Sequence, residues 1–182
     1  MSDTKIYTIG ALVTNKSGVL TRISGLFTRR GYNIESISAC ATEDPEISRL
    51  TLILNGDEYT LYQLIKQMNK LEDVIKVGCA NELDCVFREL MLVKVHALPE
   101  KRSQIIEIND IYKAKTVDLS PETMILEITG DPAKLDAYIK VIAPYGIIEM
   151  QRTGVTVLAR GQHTLKDRES DVEYVKLAPK MD

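Results

Sequence analysis

Tryptophan is absent from the 182 residues, phenylalanine and histidine occur twice each, and cysteine three times. With only His96 and His163 present, imidazole acid–base chemistry has little material to work with. Cys40, Cys79 and Cys85 contain no Cys-x-x-Cys and have no histidine close by in sequence, so the usual zinc spacings are missing and no metal site is expected. An odd cysteine count argues against a disulfide framework and for a reducing, cytoplasmic setting. No apolar run approaches the roughly 18–20 residues that span a bilayer, so no membrane association is expected. The opening Met1-Ser2-Asp3-Thr4-Lys5 lacks the basic-then-apolar layout of a secretory signal. Positive charge is not in excess, with 23 Lys and Arg against 26 Asp and Glu. That balance argues against a nucleic-acid partner, because phosphate-backbone binders concentrate basic side chains. Walker, nucleophile-elbow and dinucleotide motifs are missing, and no carboxylate pair has a defined spacing, so no catalytic residue is assigned.

What is present is the composition of a globular chain, 45% hydrophobic and 27% charged. The hydrophobic period switches between two and 3.6. Residues 6–14 alternate, with Tyr7, Ile9, Ala11 and Val13 on one face, and read as a strand. Val19, Leu20, Ile23, Leu26 and Phe27 then form a helical stripe that ends at Arg29-Arg30-Gly31. Strands follow at 33–40 and 48–54 across the Asp44-Pro45 turn. Asp57 is placed to cap a second helix carrying Leu61, Leu64, Ile65 and Met68, and 74–77 is a short strand. The order βαββαβ is the ferredoxin-like unit. It places both helices on one face of an antiparallel sheet, so the other face needs a cover.

The order then repeats. Strands are expected at 87–96, 114–119, 123–129 and 147–151, with helices after Pro99 and Asp131. Gly56, Asp57, Leu61, Ile65 and Lys66 recur 74 residues later as Gly130, Asp131, Leu135, Ile139 and Lys140. Ile23, Leu26 and Ser38 recur 82 residues later as Ile105, Ile108 and Ser120. The eight-residue difference between the offsets is expected in the middle turn, longer in the first copy. The fold class is therefore α+β, two tandem ferredoxin-like domains. The expected boundaries are 4–78 for the first domain, 79–85 for a linker, 86–161 for the second domain and 162–182 for a charged tail. An extra strand is expected within 155–160.

Several groups invite a site. Asn15-Lys16-Ser17-Gly18 enters a helix N-terminus, where free backbone N–H groups suit a carboxylate or phosphate, and Gly18 permits close approach. Ser17 can equally be an N-cap. Asn33, past Gly31, can receive an ammonium or serve as a turn residue. Arg152-Thr153-Gly154 and Arg160-Gly161 can bind an anion, brace a sheet edge or meet a partner. The cysteines read as small buried apolar residues and the histidines as structural or solvated ones. A regulatory binding module fits this set better than an enzyme does.

Asn15-Lys16-Ser17-Gly18-Val19-Leu20-Thr21-Arg22, Gly25-Leu26-Phe27 and Arg30-Gly31-Tyr32-Asn33-Ile34-Glu35-Ser36 together resemble the ACT domain of the acetolactate (acetohydroxyacid) synthase small subunit. Ser48-Arg49-Leu50-Thr51, the run Glu89 to Lys94, Glu127-Ile128-Thr129-Gly130, Arg152-Thr153-Gly154 and Ala159-Arg160-Gly161 extend the resemblance over residues 5–161. It implies a non-catalytic regulatory subunit of branched-chain amino acid biosynthesis. It further implies a homodimer in which two four-stranded ACT sheets join into one of eight, with valine or another branched-chain amino acid bound between the chains. Asn15, Ser17, Gly18, Val19 and Leu20 would form one side of that site, and Asn33 and Ile34 of the partner chain the other. Catalysis would rest with a large subunit carrying thiamine diphosphate, magnesium and FAD, with no cofactor in this chain. Val19 stands where a smaller alanine is usual in the family. The region after Ala97 and the tail beyond Gly161 match only loosely.

The residues suit such a ligand. A zwitterion needs an anion site beside an ammonium acceptor, and an isopropyl group contributes about 1.5–3 kcal/mol on burial. Charged hydrogen bonds add roughly 1.5–3 kcal/mol each before ordering costs. One methylene changes binding by only about 1–3 kcal/mol, so valine, leucine and isoleucine are not ranked. The alternative is a free-standing ACT-domain sensor acting on another protein. RNA binding on the sheet would need exposed aromatics on central strands, and 33–54 has almost none. A small enzyme on this scaffold is the third class.

Overall fold

The computed structural model describes residues 5–81 and 83–167. Thr4 of the first expected domain and residues 168–182 of the expected tail lie outside the described residues. The chain divides into two compact units, one of residues up to Val86 together with those from Val157 onward, the other Phe87–Thr156.

The first unit carries β1 (Lys5–Thr14), α1 (Val19–Arg30), β2 (Ile34–Ala41), β3 (Ile47–Gly56), α2 (Glu58–Met68) and β4 (Val74–Ala80). The alternation in β1 sends Ile9, Ala11 and Val13 into a core completed by Leu50, Leu52 and Leu54 of β3 and by Val19, Ile23, Leu26 and Phe27 of α1. α1 stops at Gly31, whose φ of +69° favours glycine. Its N–H donates to Thr28 O and the Tyr32 N–H to Phe27 O, as in a Schellman end. α2 starts at Asp57, whose Oδ1 accepts the Thr60 N–H at 2.7 Å. The sheet order is β2-β3-β1-β4, all antiparallel, so β2 and β4 are its edges.

The face away from the helices is covered in part from within the same unit. Gly10, Arg49 and Gly78 surround a cavity of about 10 Å³ with Val157, Ala159 and Leu165. Leu165 reaches over Gly10, its Cδ2 standing 3.4 Å from where a Cβ on that glycine would be.

The second unit repeats the order with β5 (Cys85–His96), α3 (Pro99–Tyr112), β6 (Lys115–Leu119), β7 (Thr123–Gly130), α4 (Pro132–Ile142) and β8 (Ile147–Arg152). The sheet runs β6-β7-β5-β8; the expected extra strand is β9 (Thr156–Ala159), which pairs with β5 and whose residues from Val157 onward belong to the first unit. The repeat survives in detail. Asp131 caps α4 by accepting the Lys134 N–H at 2.8 Å, as Asp57 caps α2. Leu61 and Leu135, like Ile23 and Ile105, are buried counterparts. The eight-residue offset does not sit in the middle turn as expected. β2 and β3 have 8 and 10 residues against 5 and 8 in β6 and β7, so most of it is strand length.

Two buried polar groups mark this second core. Tyr138 Oη donates to Asn109 Oδ1 at 2.7 Å, and Asn109 Nδ2 donates to Thr116 Oγ1 at 3.3 Å. Burial pushes the Tyr138 hydroxyl well above the usual tyrosine range, so it stays a donor. Glu89 is 5% exposed and meets Arg152 in a bidentate pair at 2.9 and 2.6 Å.

Candidate functional site

The β1–α1 turn and the free edge of the first sheet meet at a surface cleft of about 270 Å³. Val13 and Thr14 end β1 on one side, Asn15 and Lys16 form the rim, and Val19 and Leu20 come from the first turn of α1. Ala39, Cys40 and Ala41 of β2 with Ser48 and Leu50 of β3 close the other side. The strand register makes this wall, because Ala39 stands opposite Leu50 and Ala41 opposite Ser48. Small side chains at the end of β2 leave the space open.

Main-chain chemistry defines the rim. Asn15 is clamped twice to the β2–β3 turn: its N–H donates to Glu46 O at 2.7 Å and its Nδ2 to Pro45 O at 2.9 Å. Its Oδ1 remains as an acceptor. Ser17 is not the helix cap expected as one reading of the sequence. That position belongs to Gly18 at φ +87°, with no side-chain cap and no acidic residue in the first turn. The Val19 N–H donates to Lys16 O at 3.4 Å, and no side-chain oxygen caps the N–H groups of Leu20 and Thr21 that follow, which suits an anion. Lys16 adds a positive charge at the same rim. One turn on, Arg22 meets Asp73 at 2.7 Å, and Thr14 Oγ1 donates to the same carboxylate at 3.2 Å, fixing the end of β1 beside the helix.

Of the seven residues singled out, the cleft collects Asn15, Val19 and Leu20. Val19 is buried and belongs to its floor, whereas Leu20 is 48% exposed. Gly18 and Ser17 shape the turn without lining the cleft. Asn33 and Ile34 lie at the far end of β2 within one chain, seven residues from Ala41 or about 23 Å along an extended strand. A β-bulge in β2 between Ile34 and Ser36 alters the local direction of the strand there. Asn33 lines a separate small cavity with Tyr7, Tyr32, Asn55, Asp57 and Thr60.

A family model described as "AHAS small subunit-like ACT domain" matches residues 9–76, and one described as "Small subunit of acetolactate synthase" matches residues 88–161. The chain belongs to the acetolactate synthase small-subunit family. The probable acetolactate synthase small subunit of Archaeoglobus fulgidus is 48% identical over 155 residues, 85% of this chain and 97% of that protein. That of Mycolicibacterium smegmatis is 45% identical over 160 residues, 88% of this chain and 94% of that one. The crystal structure of the acetolactate synthase small subunit from Thermotoga maritima superposes with a TM-score of 0.81 at 36% identity, covering 87% of this chain and 99% of that chain. The fold is thus the α+β ferredoxin-like pair of acetolactate synthase small subunits, with an ACT domain first.

Within this small-subunit framework, the sequence pattern alone did not point to Ala39, Cys40, Ala41, Ser48 and Leu50 as cleft residues. The β2–β3 register would have found them, but the turn at Asp44-Pro45 alone did not set it. Cys40 is exposed rather than buried as expected. The Arg152 guanidinium is not open to an outside anion, because Glu89 and Asp136 take it, the latter at 2.6 Å. Hydrogen bonding to Glu89, opposed by desolvation, raises its already high pKa. Among the described residues no group of three His, Cys, Asp or Glu side chains can hold a metal ion, and no helix is long and apolar enough to cross a membrane.

Proposed function

We propose that this chain is the regulatory subunit of an acetolactate synthase, which activates a large catalytic subunit and confers feedback inhibition by valine. The observation that carries the reading is the cleft between the uncapped α1 N-terminus and the open β2 edge. It combines N–H donors and Lys16 for a carboxylate, Asn15 Oδ1 for an ammonium, and Val13, Val19, Leu20, Ala39 and Leu50 for an aliphatic side chain.

The site is completed by a second copy. An edge strand offers a row of unpaired N–H and C=O groups, and β2 exposes Ile37. If two β2 strands pair antiparallel about a two-fold near Ile37 and Ser38, the partner's Ile34 comes opposite Ala41. The partner's Asn33 then faces the cleft, and the seven residues belong to one site shared by two chains. A ligand touching both protomers favours one dimer geometry, and it shifts the equilibrium only by its differential affinity for the two states. Thiamine diphosphate, magnesium and FAD belong to the large subunit in this reading, with no cofactor bound by this chain.

The test is reconstitution with an acetolactate synthase large subunit, assaying pyruvate condensation with and without valine, alongside calorimetry of valine binding to this chain. Stimulation by this chain and inhibition by valine are expected, with the inhibition lost in Asn15→Ala and Asn33→Ala. Undiminished valine inhibition in both variants would refute the site. Valine binding without effect on any large subunit would favour a sensor acting on another protein.

A further inference from the structure

Tyr7 lies on the helix side of β1, opposite Leu54 of β3, and Leu54 in turn stands opposite Ile34 of β2. The three form one cross-strand row, which puts the Tyr7 and Ile34 backbones about 9–10 Å apart, two strand spacings. A tyrosine ring bridges much of that gap. The Tyr7 hydroxyl oxygen is buried and has no hydrogen-bond partner among the described residues. Leaving such a group unsatisfied is unfavourable, and native structures seldom do so without a reason. Tyr7 lines the same cavity as Asn33, together with Tyr32, Asn55, Asp57 and Thr60. That cavity measures about 10 Å³, near the lower limit for one water molecule. Among the described residues the Asn33 side chain makes no hydrogen bond to the rest of the chain. It is held instead by its turn, where Gly31 is left-handed and Tyr32 packs edge-on against Phe27 at 6.4 Å.

We propose that Tyr7 is a positioning residue for the effector site, acting through Asn33. Its hydroxyl serves the Asn33 side chain across this cavity, directly when the turn tightens or through one bridging water, and so sets the angle at which Asn33 is offered to the cleft of the other protomer. Burial first, and then the neighbouring Glu58 carboxylate, raise the Tyr7 pKa, so the hydroxyl keeps its proton and acts as a donor throughout the physiological range. Asn33 Oδ1 is then engaged as an acceptor on its own chain, which turns the amide N–H₂ towards the ligand. The inference rests on the reading of Asn33 as an effector contact.

The experiment uses the reconstituted complex with the large subunit and valine as the probe. Tyr7→Phe, Asn33→Ala and the double variant are compared with the parent for uninhibited activity, the valine concentration giving half inhibition, and thermal unfolding. Tyr7→Phe is expected to raise the half-inhibition concentration about 3- to 10-fold, the range of one neutral hydrogen bond, with uninhibited activity and unfolding temperature unchanged. The double variant is expected to match Asn33→Ala alone, because the hydroxyl acts only through that side chain. An unchanged response in Tyr7→Phe with a weakened one in Asn33→Ala overturns the positioning role and leaves the effector site standing. Unchanged responses in both overturn the effector site itself. Additive effects in the double variant, or a lowered unfolding temperature that accompanies the loss of valine response, show that Tyr7 acts independently of Asn33 or only through stability, and overturn the inference.

Discussion

Ile37 provides the sharpest test of the shared site. It stands in the middle of the β2 edge strand opposite Leu52 of the core, yet 45% of its surface is exposed because no strand lies beyond it. In the proposed two-fold arrangement that remaining surface would be covered by the partner. Isoleucine exposes about 180 Å², so roughly 80 Å² per chain would be buried, a contribution of about 2 kcal/mol at ~25 cal/mol per Å². Two copies meet at the axis, giving about 4 kcal/mol for the dimer, or close to a thousandfold in the dimer dissociation constant. Ile37→Lys removes this contribution and sets two like charges side by side across the axis, which adds to the loss. Sedimentation equilibrium of the variant is expected to show dissociation at concentrations where the parent is dimeric, with valine binding lost in parallel. Urea unfolding of the protomer should change little, since the site is already half exposed. A dimer constant within tenfold of the parent would refute pairing through β2, and the two-chain site with it.

In the second unit, Tyr138→Phe strands the buried Asn109 oxygen and should cost about 1–3 kcal/mol in urea unfolding, whereas adding Asn109→Leu should recover most of it; a neutral Tyr138→Phe would contradict the buried network. Lys113 occupies the position 82 residues after Gly31 and, at φ +57°, is the one non-glycine residue with positive φ among those described. Lys113→Gly should raise stability by about 1 kcal/mol, as a left-handed lysine is strained by roughly 1–2 kcal/mol, read as a higher thermal midpoint. The Thr60 N–H bonded to Asp57 holds that carboxyl below the usual carboxylate range. A lowered folded-state pKa stabilises fully above the unfolded value and ceases to do so as pH falls through the folded one. The stability difference between the parent and Asp57→Ala should therefore be constant above the ordinary carboxylate range and shrink as pH falls through and below it.

Much of this organisation could be read in one dimension because it is set by local chemistry. Strand alternation in β1, the stripe Val19–Ile23–Leu26–Phe27, the stop at Gly31 and the caps at Asp57 and Asp131 each depend on neighbours a few residues away, and all of them recur in the folded chain. The internal repeat follows from the same rules applied twice. One side of the cleft was legible for that reason: Asn15, Lys16, Val19 and Leu20 belong to one turn and the helix it starts. The opposite wall was not. Ala39, Cys40, Ala41 and Ser48 reach the site only through the β2–β3 register, and a slip of one residue would have turned Ala39 and Ala41 to the other face.

The same distinction separates the remaining outcomes. Family membership and the ferredoxin-like order were determined by residue pattern, since both rest on motifs that are continuous along the chain. That Arg152 is spent on Glu89, that Val157, Ala159 and Leu165 return to cover the back of the first sheet, and that Tyr7 shares a cavity with Asn33 were decided only in three dimensions. Each joins segments from about 25 to more than 150 residues apart, and no local propensity carries the position of a partner that distant.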